Sequence, residues 1–189
     1  VMGSGEPMDN YDNLIRFIRL ITSKEGLNIS QRNITVSTCG IKNGLRELGD
    51  SGLAYLAVSL HAPTQELRER LMPRAARWHL DDLLAALESY PLKTRERITL
   101  EYLVIGGLND GPEQAVNGAR LKAKLNLIPY NPTPDSPYSP PSPEGLLAFE
   151  KMLWNKNITA IVRKSKGQDI EAACGQLRAA QDAGMFGNA

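Results

Sequence analysis

Ile98-Thr99-Leu100-Glu101-Tyr102-Leu103-Val104-Ile105, followed by Gly106-Gly107-Leu108-Asn109-Asp110-Gly111, sets the reading of the whole chain. The first half is β-branched, aromatic and aliphatic, the composition of a strand, and the glycine-rich half is a loop that ends it. Glu101 is the exception inside the strand. A carboxylate among Ile, Leu, Tyr and Val must be paired or face a polar interior, and a structural ion pair inside a barrel is the expected arrangement.

The same unit recurs in both directions along the chain. Upstream, Leu80 to Tyr90 reads as a helix closed by Pro91, and Thr64 opens a charged helix to about Leu71 with Glu66 and Arg70 at i,i+4 spacing. Tyr55-Leu-Ala-Val-Ser59 is apolar on both faces, as a buried strand is, and runs into Leu60-His61-Ala62-Pro63. Ile34-Thr-Val-Ser37 is a short strand leading into Thr38-Cys39-Gly40, with a short helix near Gly44 to Leu48 after it. Leu14, Ile15, Phe17, Ile18, Leu20 and Ile21 recur with helical period, predicting a helix over Tyr11 to Ser23. Downstream, a helix is expected near Pro112 to Arg120, a strand at Leu125 to Ile128, a long Pro/Ser-rich loop from Pro132 to Pro143, a helix over Glu144 to Leu153 and a strand at Ile158 to Val162. Val1 reads as the tail of one more strand, so the beginning of the domain is expected to precede it. Strand, loop and helix in this rhythm make a parallel sheet, either a (βα) barrel or an open doubly wound sheet. In both, chemistry gathers at the carboxyl ends of the strands.

Composition limits the function. The 189 residues carry 42% apolar side chains and a net charge of +1, so a substantial core is possible and no overall field demands a nucleic acid or an acidic membrane. The 2 cysteines, Cys39 and Cys174, and 2 distant histidines make neither a disulfide framework nor a zinc site, so no metal ligand is assigned within the chain. This usage suits a reducing, cytoplasmic setting, with no membrane span and no secretory signal.

The strand ends collect the chemistry. Gly5-Glu6 at the end of the first strand can receive an ammonium group or form an ordinary turn. Ser37 and Ser59 can donate to a carboxylate or a ribose, or simply satisfy local backbone. His61 is a hydrogen-bond donor or proton carrier with no neighbour that would make a triad. Cys39 reads as packing, and His79 as a surface residue at a helix start. Cys174, between Ala173 and Gly175, is by itself either small packing or a nucleophile. Arg163, Lys164 and Lys166 suit RNA phosphates, a nearby thiolate, or a solvated turn.

In this order, Met2-Gly-Ser-Gly-Glu-Pro7, Ile34-Thr-Val-Ser-Thr-Cys-Gly40, Val58-Ser-Leu-His-Ala-Pro63, Leu127-Ile-Pro-Tyr-Asn-Pro132 and Ile161-Val-Arg-Lys164 with Asp169-Ile-Glu-Ala-Ala-Cys-Gly-Gln-Leu177 resemble the radical S-adenosylmethionine (SAM) methyltransferases of the RlmN/Cfr family. The resemblance implies an incomplete radical-SAM-type (βα) barrel, with residues 1–189 as one domain, the carboxyl-terminal part of the catalytic domain. It implies methylation of carbon 2 of adenosine in 23S rRNA and tRNA in the RlmN type, or carbon 8 in the Cfr type. Gly5 and Glu6 match the pair that holds the amino group of SAM, while Ser37, Ser59, Leu60, His61 and Asn131 match its other SAM contacts. Cys174 matches the cysteine that takes a methyl group from one SAM and, after a second SAM yields a radical, passes its carbon to adenine. Carbon 2 of adenine is too weak a nucleophile for direct transfer, which explains the need for a covalent carrier. The family also implies a flavodoxin-type electron donor, and a monomer is the expected state.

The chain departs from the family in two respects. The C-x3-C-x2-C motif that ligates the [4Fe–4S] cluster is absent, and its ligands are expected upstream of Val1. Two other classes therefore stay open: a catalytically dead SAM-like or RNA-binding barrel module, and a different radical SAM enzyme. The segment between Asp110 and Asn126 is about one helical turn shorter than the family leads one to expect, which predicts weaker sheet packing there.

Overall fold

The computed structural model describes residue 1 and residues 5–41, 44–112, 121–132 and 136–163. Its strands are β1 (Thr35–Thr38), β2 (Tyr55–Ser59), β3 (Ile98–Val104), β4 (Ala123–Pro129) and β5 (Ala160–Val162). Its helices are α1 (Tyr11–Thr22), α2 (Leu45–Ser51), α3 (Gln65–Leu71), α4 (Leu80–Glu88) and α5 (Pro143–Asn155). The strands are parallel and lie in the order β1-β2-β3-β4-β5. A doubly wound sheet reverses its order at a switch point, and this one does not. With right-handed crossovers, a sequential order returns each helix to the same face, which is the barrel-type winding.

The two sheet faces differ in chemistry. Val36, Leu56, Val58, Ile98, Leu100, Tyr102, Val104, Leu125 and Leu127 point one way and pack with Ile15 and Ile18 of α1, Leu48 of α2, Leu83 and Leu87 of α4, and Phe149 and Leu153 of α5. The alternate residues point to the other face, since side chains reverse at each step along a strand. There the register aligns Ser37, Ala57, Thr99 and Lys124 in one row and Ser59, Glu101 and Asn126 in the next. Burial of the aliphatic face, at about 25 cal/mol per Å² of apolar surface, drives the assembly.

Local sequence explains most boundaries. Thr64 caps α3 through its hydroxyl, which accepts from Leu67 N at 3.3 Å. Ser142 caps α5, accepting from Gly145 N at 2.9 Å, with Pro143 at the first helical position. Where boundaries move, a backbone bond is responsible. Ile158 N donates to Leu153 O at 2.9 Å and so closes α5, and β5 therefore begins at Ala160 and not at Ile158. Helix α2 continues past Leu48 to Ser51, whose hydroxyl donates back to Leu48 O at 2.7 Å before the left-handed Gly52 ends the helix.

Val1 bonds to the outer edge of β1, donating to Thr35 O and accepting from Ser37 N, as a parallel neighbouring strand would. The helix expected near Pro112 to Arg120 lies largely outside the described residues. The weaker packing expected between Asp110 and Asn126 is not found in the sheet: β3 and β4 pair from Ile98↔Ala123 to Val104↔Pro129, the longest register of the four strand pairs.

Candidate cofactor site

The loops at the carboxyl ends of β1, β2, β3 and β4 meet along one rim, and polar side chains rather than apolar packing join them. Glu6 is the first connector. Its carboxylate accepts from Met8 N at 3.0 Å, capping the Pro7–Asn10 turn, and from Cys39 N at 2.7 Å beyond β1. Gly5 before it has φ +95°, a left-handed backbone natural only to glycine, and open space lies where a Cβ would stand. The Gly5-Glu6 pair is thus fixed in place with the glycine side open.

Cys39 is held as a thiol. Burial first, then its hydrogen bond to Glu6 and that carboxylate's charge, push its pKa up to about 12. Neither a nucleophile nor a metal ligand is built this way, because both need the thiolate. The reading of Cys39 as packing agrees with this environment.

Arg68 of α3 is a connector that sequence reasoning missed. It is fully buried, yet no carboxylate among the described residues pairs with it. Its guanidinium donates instead to backbone carbonyls: Cys39 O at 2.7 Å, Leu60 O at 2.9 Å and Ser59 O at 3.3 Å. One side chain therefore joins the ends of β1 and β2. In sequence it looked like one more charge on a solvated helix. The available signal was its place one turn after the cap Thr64 and three residues before Leu71, on the inward side. The expected Glu66–Arg70 pair does not form, and Arg70 lies over the Tyr138 ring at 5.7 Å from its centroid.

His61 has φ +56°, uncommon for a residue with a side chain. Its N donates to Glu101 O at 3.2 Å, its carbonyl accepts from Asn109 Nδ2 at 3.1 Å, and its Nδ1 accepts from Leu103 N at 3.1 Å. An Nδ1 that accepts leaves the ring proton on Nε2. Burial, with help from the Arg68 charge, lowers its pKa to about 4. His61 is a neutral donor at ordinary pH and not a proton carrier. Leu60 is fully buried, and its backbone is already used by Glu101 O and Arg68, so it holds its neighbours Ser59 and His61 in position.

Asn109, the second residue missed, organises the β3 loop. Fully buried, it accepts from Ile105 N at 2.7 Å and donates to Leu103 O at 2.7 Å as well as to His61 O. Across the same end, Gly106 N donates to Ser139 O at 2.9 Å, and a Cβ on Gly106 would stand 2.6 Å from Pro140 O. The loop after β4 can lie this close only because Gly106 has no side chain. Asn131 is half-buried just beyond the carboxyl end of β4.

Below the rim, on the face away from the helices, lies the row Ser59, Glu101, Asn126. Glu101 is 9% exposed. The ion pair expected for it does not form among the described residues, because its neighbours across both strands are neutral. The structure thus brings Gly5, Glu6, Ser37, Ser59, His61 and Asn131 to the strand ends of one sheet. Cys174, Lys164 and Lys166 lie outside the described residues. Arg163 is exposed, its N donating to Leu127 O at 2.8 Å.

Residues 1–117 match the profile of the Radical SAM superfamily. Over 184 residues the chain is 64% identical to the dual-specificity RNA methyltransferase RlmN of Nitratidesulfovibrio vulgaris strain DP4, covering 95% of this chain and 50% of that protein. The probable dual-specificity RNA methyltransferase RlmN of Symbiobacterium thermophilum is 50% identical, with 94% of this chain and 50% of that protein covered. The chain therefore spans about half the length of these relatives. Among solved structures, a radical SAM methyltransferase from Sphaerobacter thermophilus superposes with a TM-score of 0.86 at 43% identity, over 93% of this chain and 53% of that one. A domain of a pyruvate-formate lyase-activating enzyme from Bacteroides vulgatus, at 16% identity and TM-score 0.61, shares the fold.

Proposed function

The chain belongs to the Radical SAM superfamily, and from that premise we propose that it is the carboxyl-terminal part of an RNA methyltransferase that acts on carbon 2 of adenosine in 23S rRNA and tRNA. The observation that carries this reading is the 64% identity to a dual-specificity RNA methyltransferase over nearly the whole chain. The family implies two groups, SAM and a [4Fe–4S] cluster, and this chain's residues suit them unequally.

They suit SAM. Its α-amino group is a cation, and the Glu6 carboxylate, immobilised by Met8 N and Cys39 N, is an anion beside the open space at Gly5. Charge-assisted hydrogen bonds of this kind are about twice as strong as neutral ones. Ser37 and Ser59 offer hydroxyls from the same rim, His61 a fixed neutral ring, and Asn131 an amide beyond β4. Bound SAM would supply the methyl group. Cys174 is then the residue that carries this methyl to RNA, a role resting on its sequence context Ala-Ala-Cys-Gly-Gln-Leu. Arg163, Lys164 and Lys166, consecutive cations but for one serine in the sequence, carry charge that would favour RNA phosphates.

The residues do not suit the cluster. The chain holds 2 cysteines, and the environment of Cys39 keeps its thiol protonated. No group of three potential metal-binding side chains occurs among the described residues. This favours one alternative, a barrel module that binds SAM or RNA without catalysing transfer. The two readings separate in the whole protein of which this chain is part: Cys174→Ala is expected to abolish 2-methyladenosine in its RNA substrate while leaving SAM binding intact. An unchanged yield of 2-methyladenosine would remove the methyl-carrier assignment.

A further inference from the structure

Between β2 and α4 the chain inserts α3 and a short turn, Ala75–Arg77. Side chains fix this insertion along the rim. Gln65 of α3 accepts from Leu80 N and donates to Ala76 O, both at 2.9 Å, so helix and turn form one piece. Arg68 points inward, to the carbonyls at the ends of β1 and β2. Arg74 meets Asp9 of the Pro7–Asn10 turn at 3.9 Å.

The outward side of the insertion is cationic. Arg70, Arg74 and Arg77 are all exposed, and only Arg74 has a carboxylate within ion-pair reach among the described residues. An exposed pair of that length holds its arginine weakly. Arg70 rests instead over the Tyr138 ring, 5.7 Å from its centroid and within cation–π range. Tyr138 is itself braced: its ring stands edge-on to Tyr130 at 6.1 Å between centroids, its N donates to Ser136 Oγ at 3.3 Å, and the Tyr130 hydroxyl bonds the same oxygen. Tyr130 N donates to Val104 O at 2.9 Å, at the end of β3, and the next residue is Asn131, a candidate SAM contact. The rim thus carries an arginine that is braced on a ring and exposed on its other side.

The arrangement decides what it can receive. Phosphate binding needs only charge, which Arg74 and Arg77 supply. A planar guanidinium supported by an aromatic ring offers a flat face in addition, a surface on which unstacked bases rest. The reaction proposed above creates such a base. Adenine reaches chemistry at the strand ends only when turned out of its stack, which leaves the adjoining nucleotide without a stacking partner.

We infer that the α3 insertion is a docking surface for the RNA strand: Arg70, braced by Tyr138, receives the base next to the target adenosine, while Arg74 and Arg77 pair with phosphates. The inference rests on the RNA methyltransferase reading above and adds to it the residues that hold the strand while its adenine enters the rim.

Fluorescence anisotropy on the whole protein of which this chain is part tests it. The probes are an RNA hairpin with an adenosine in its loop and two versions of it, each made abasic on one side of that adenosine. Arg70→Ala is expected to weaken binding of the intact hairpin about tenfold, the worth of one stacked base. One of the abasic hairpins should bind the wild-type protein as weakly, and Arg70→Ala should then cost it nothing more. Arg70→Lys keeps the charge without the flat face and should resemble Arg70→Ala. Arg74→Ala and Arg77→Ala should each lower the salt dependence of binding by about one phosphate contact. SAM binding, measured by calorimetry, should be unchanged in all four variants. Equal weakening of every hairpin by Arg70→Ala, or wild-type affinity and salt dependence in every variant, would overturn the docking surface while leaving the RNA reading standing. A wild-type protein that binds SAM but no hairpin would overturn both.

Discussion

His61 and Arg68 show how single residues at the rim serve stability and site geometry together. The pKa of His61 falls from an ordinary 6.5 to about 4 on folding, because burial strips the ring of water and the Arg68 guanidinium adds its charge nearby. A histidine whose pKa is depressed by folding stabilises the native state above its unfolded pKa. The unfolded chain takes up the proton first, so that contribution drains away as pH falls from 6.5 toward 4. Over that window the loss should amount to roughly 3 kcal/mol, and urea titrations at a series of pH values would measure it. His61→Gln should flatten the slope, and a wild-type slope that persists in the variant would mean another group is responsible. Arg68 acts differently, since its charge has no anionic partner among the described residues and its value lies in its bonds to three backbone carbonyls. Arg68→Ala removes the donors and leaves a cavity, at an expected cost of about 3–5 kcal/mol. Arg68→Met fills the volume but not the bonds, and should cost less. Chemical denaturation of both variants separates the packing part from the hydrogen-bonding part.

At the scale of elements, the loop from Ile105 to Asp110 is shaped by Asn109, which ties it to Leu103 and to the β2 loop at His61. Asn109→Ala is expected to destabilise the fold by about 2–4 kcal/mol, since it strands the buried Ile105 N–H and two carbonyls. Faster amide exchange at Ile105 than at Leu100 would place the damage in the loop; uniform exchange through β3 would contradict that picture. The loop itself was legible from its glycines, and so were the strands, from their β-branched runs, and the capped start of α3. These signals are local. The task of Asn109 was not legible, because its partners come from two strand ends whose distance depends on register. Glu101 shows the same limit: its place in a strand implied pairing, but only the register, which sets Ser59 and Asn126 across from it, reveals that no ion pair forms among the described residues. Arg68 was hidden by its charge, since a helix rich in Glu and Arg gives little sign of which cation turns inward.

At the scale of the molecule, recognition and redox chemistry separate. The residues suited to SAM belong to the rim, and none of them is a cysteine. A [4Fe–4S] site in this family takes three cysteines of one loop, whereas the chain has 2 in all, one of them held protonated by Glu6 and burial. Metal binding requires thiolates, so the Cys39 environment opposes recruitment even at high iron concentration. Anaerobic reconstitution of the 189-residue chain with iron and sulfide is therefore expected to give no stable cluster absorbance and no 2-methyladenosine in ribosomal RNA, while calorimetry still detects SAM. A chain that acquires a cluster and cleaves SAM under reduction would show that its own side chains supply the ligands. The expected result, binding without cleavage, follows from the division of labour in the sheet: the rim residues suited to SAM are placed by the register of β1, β2, β3 and β4, and that register needs no iron to form.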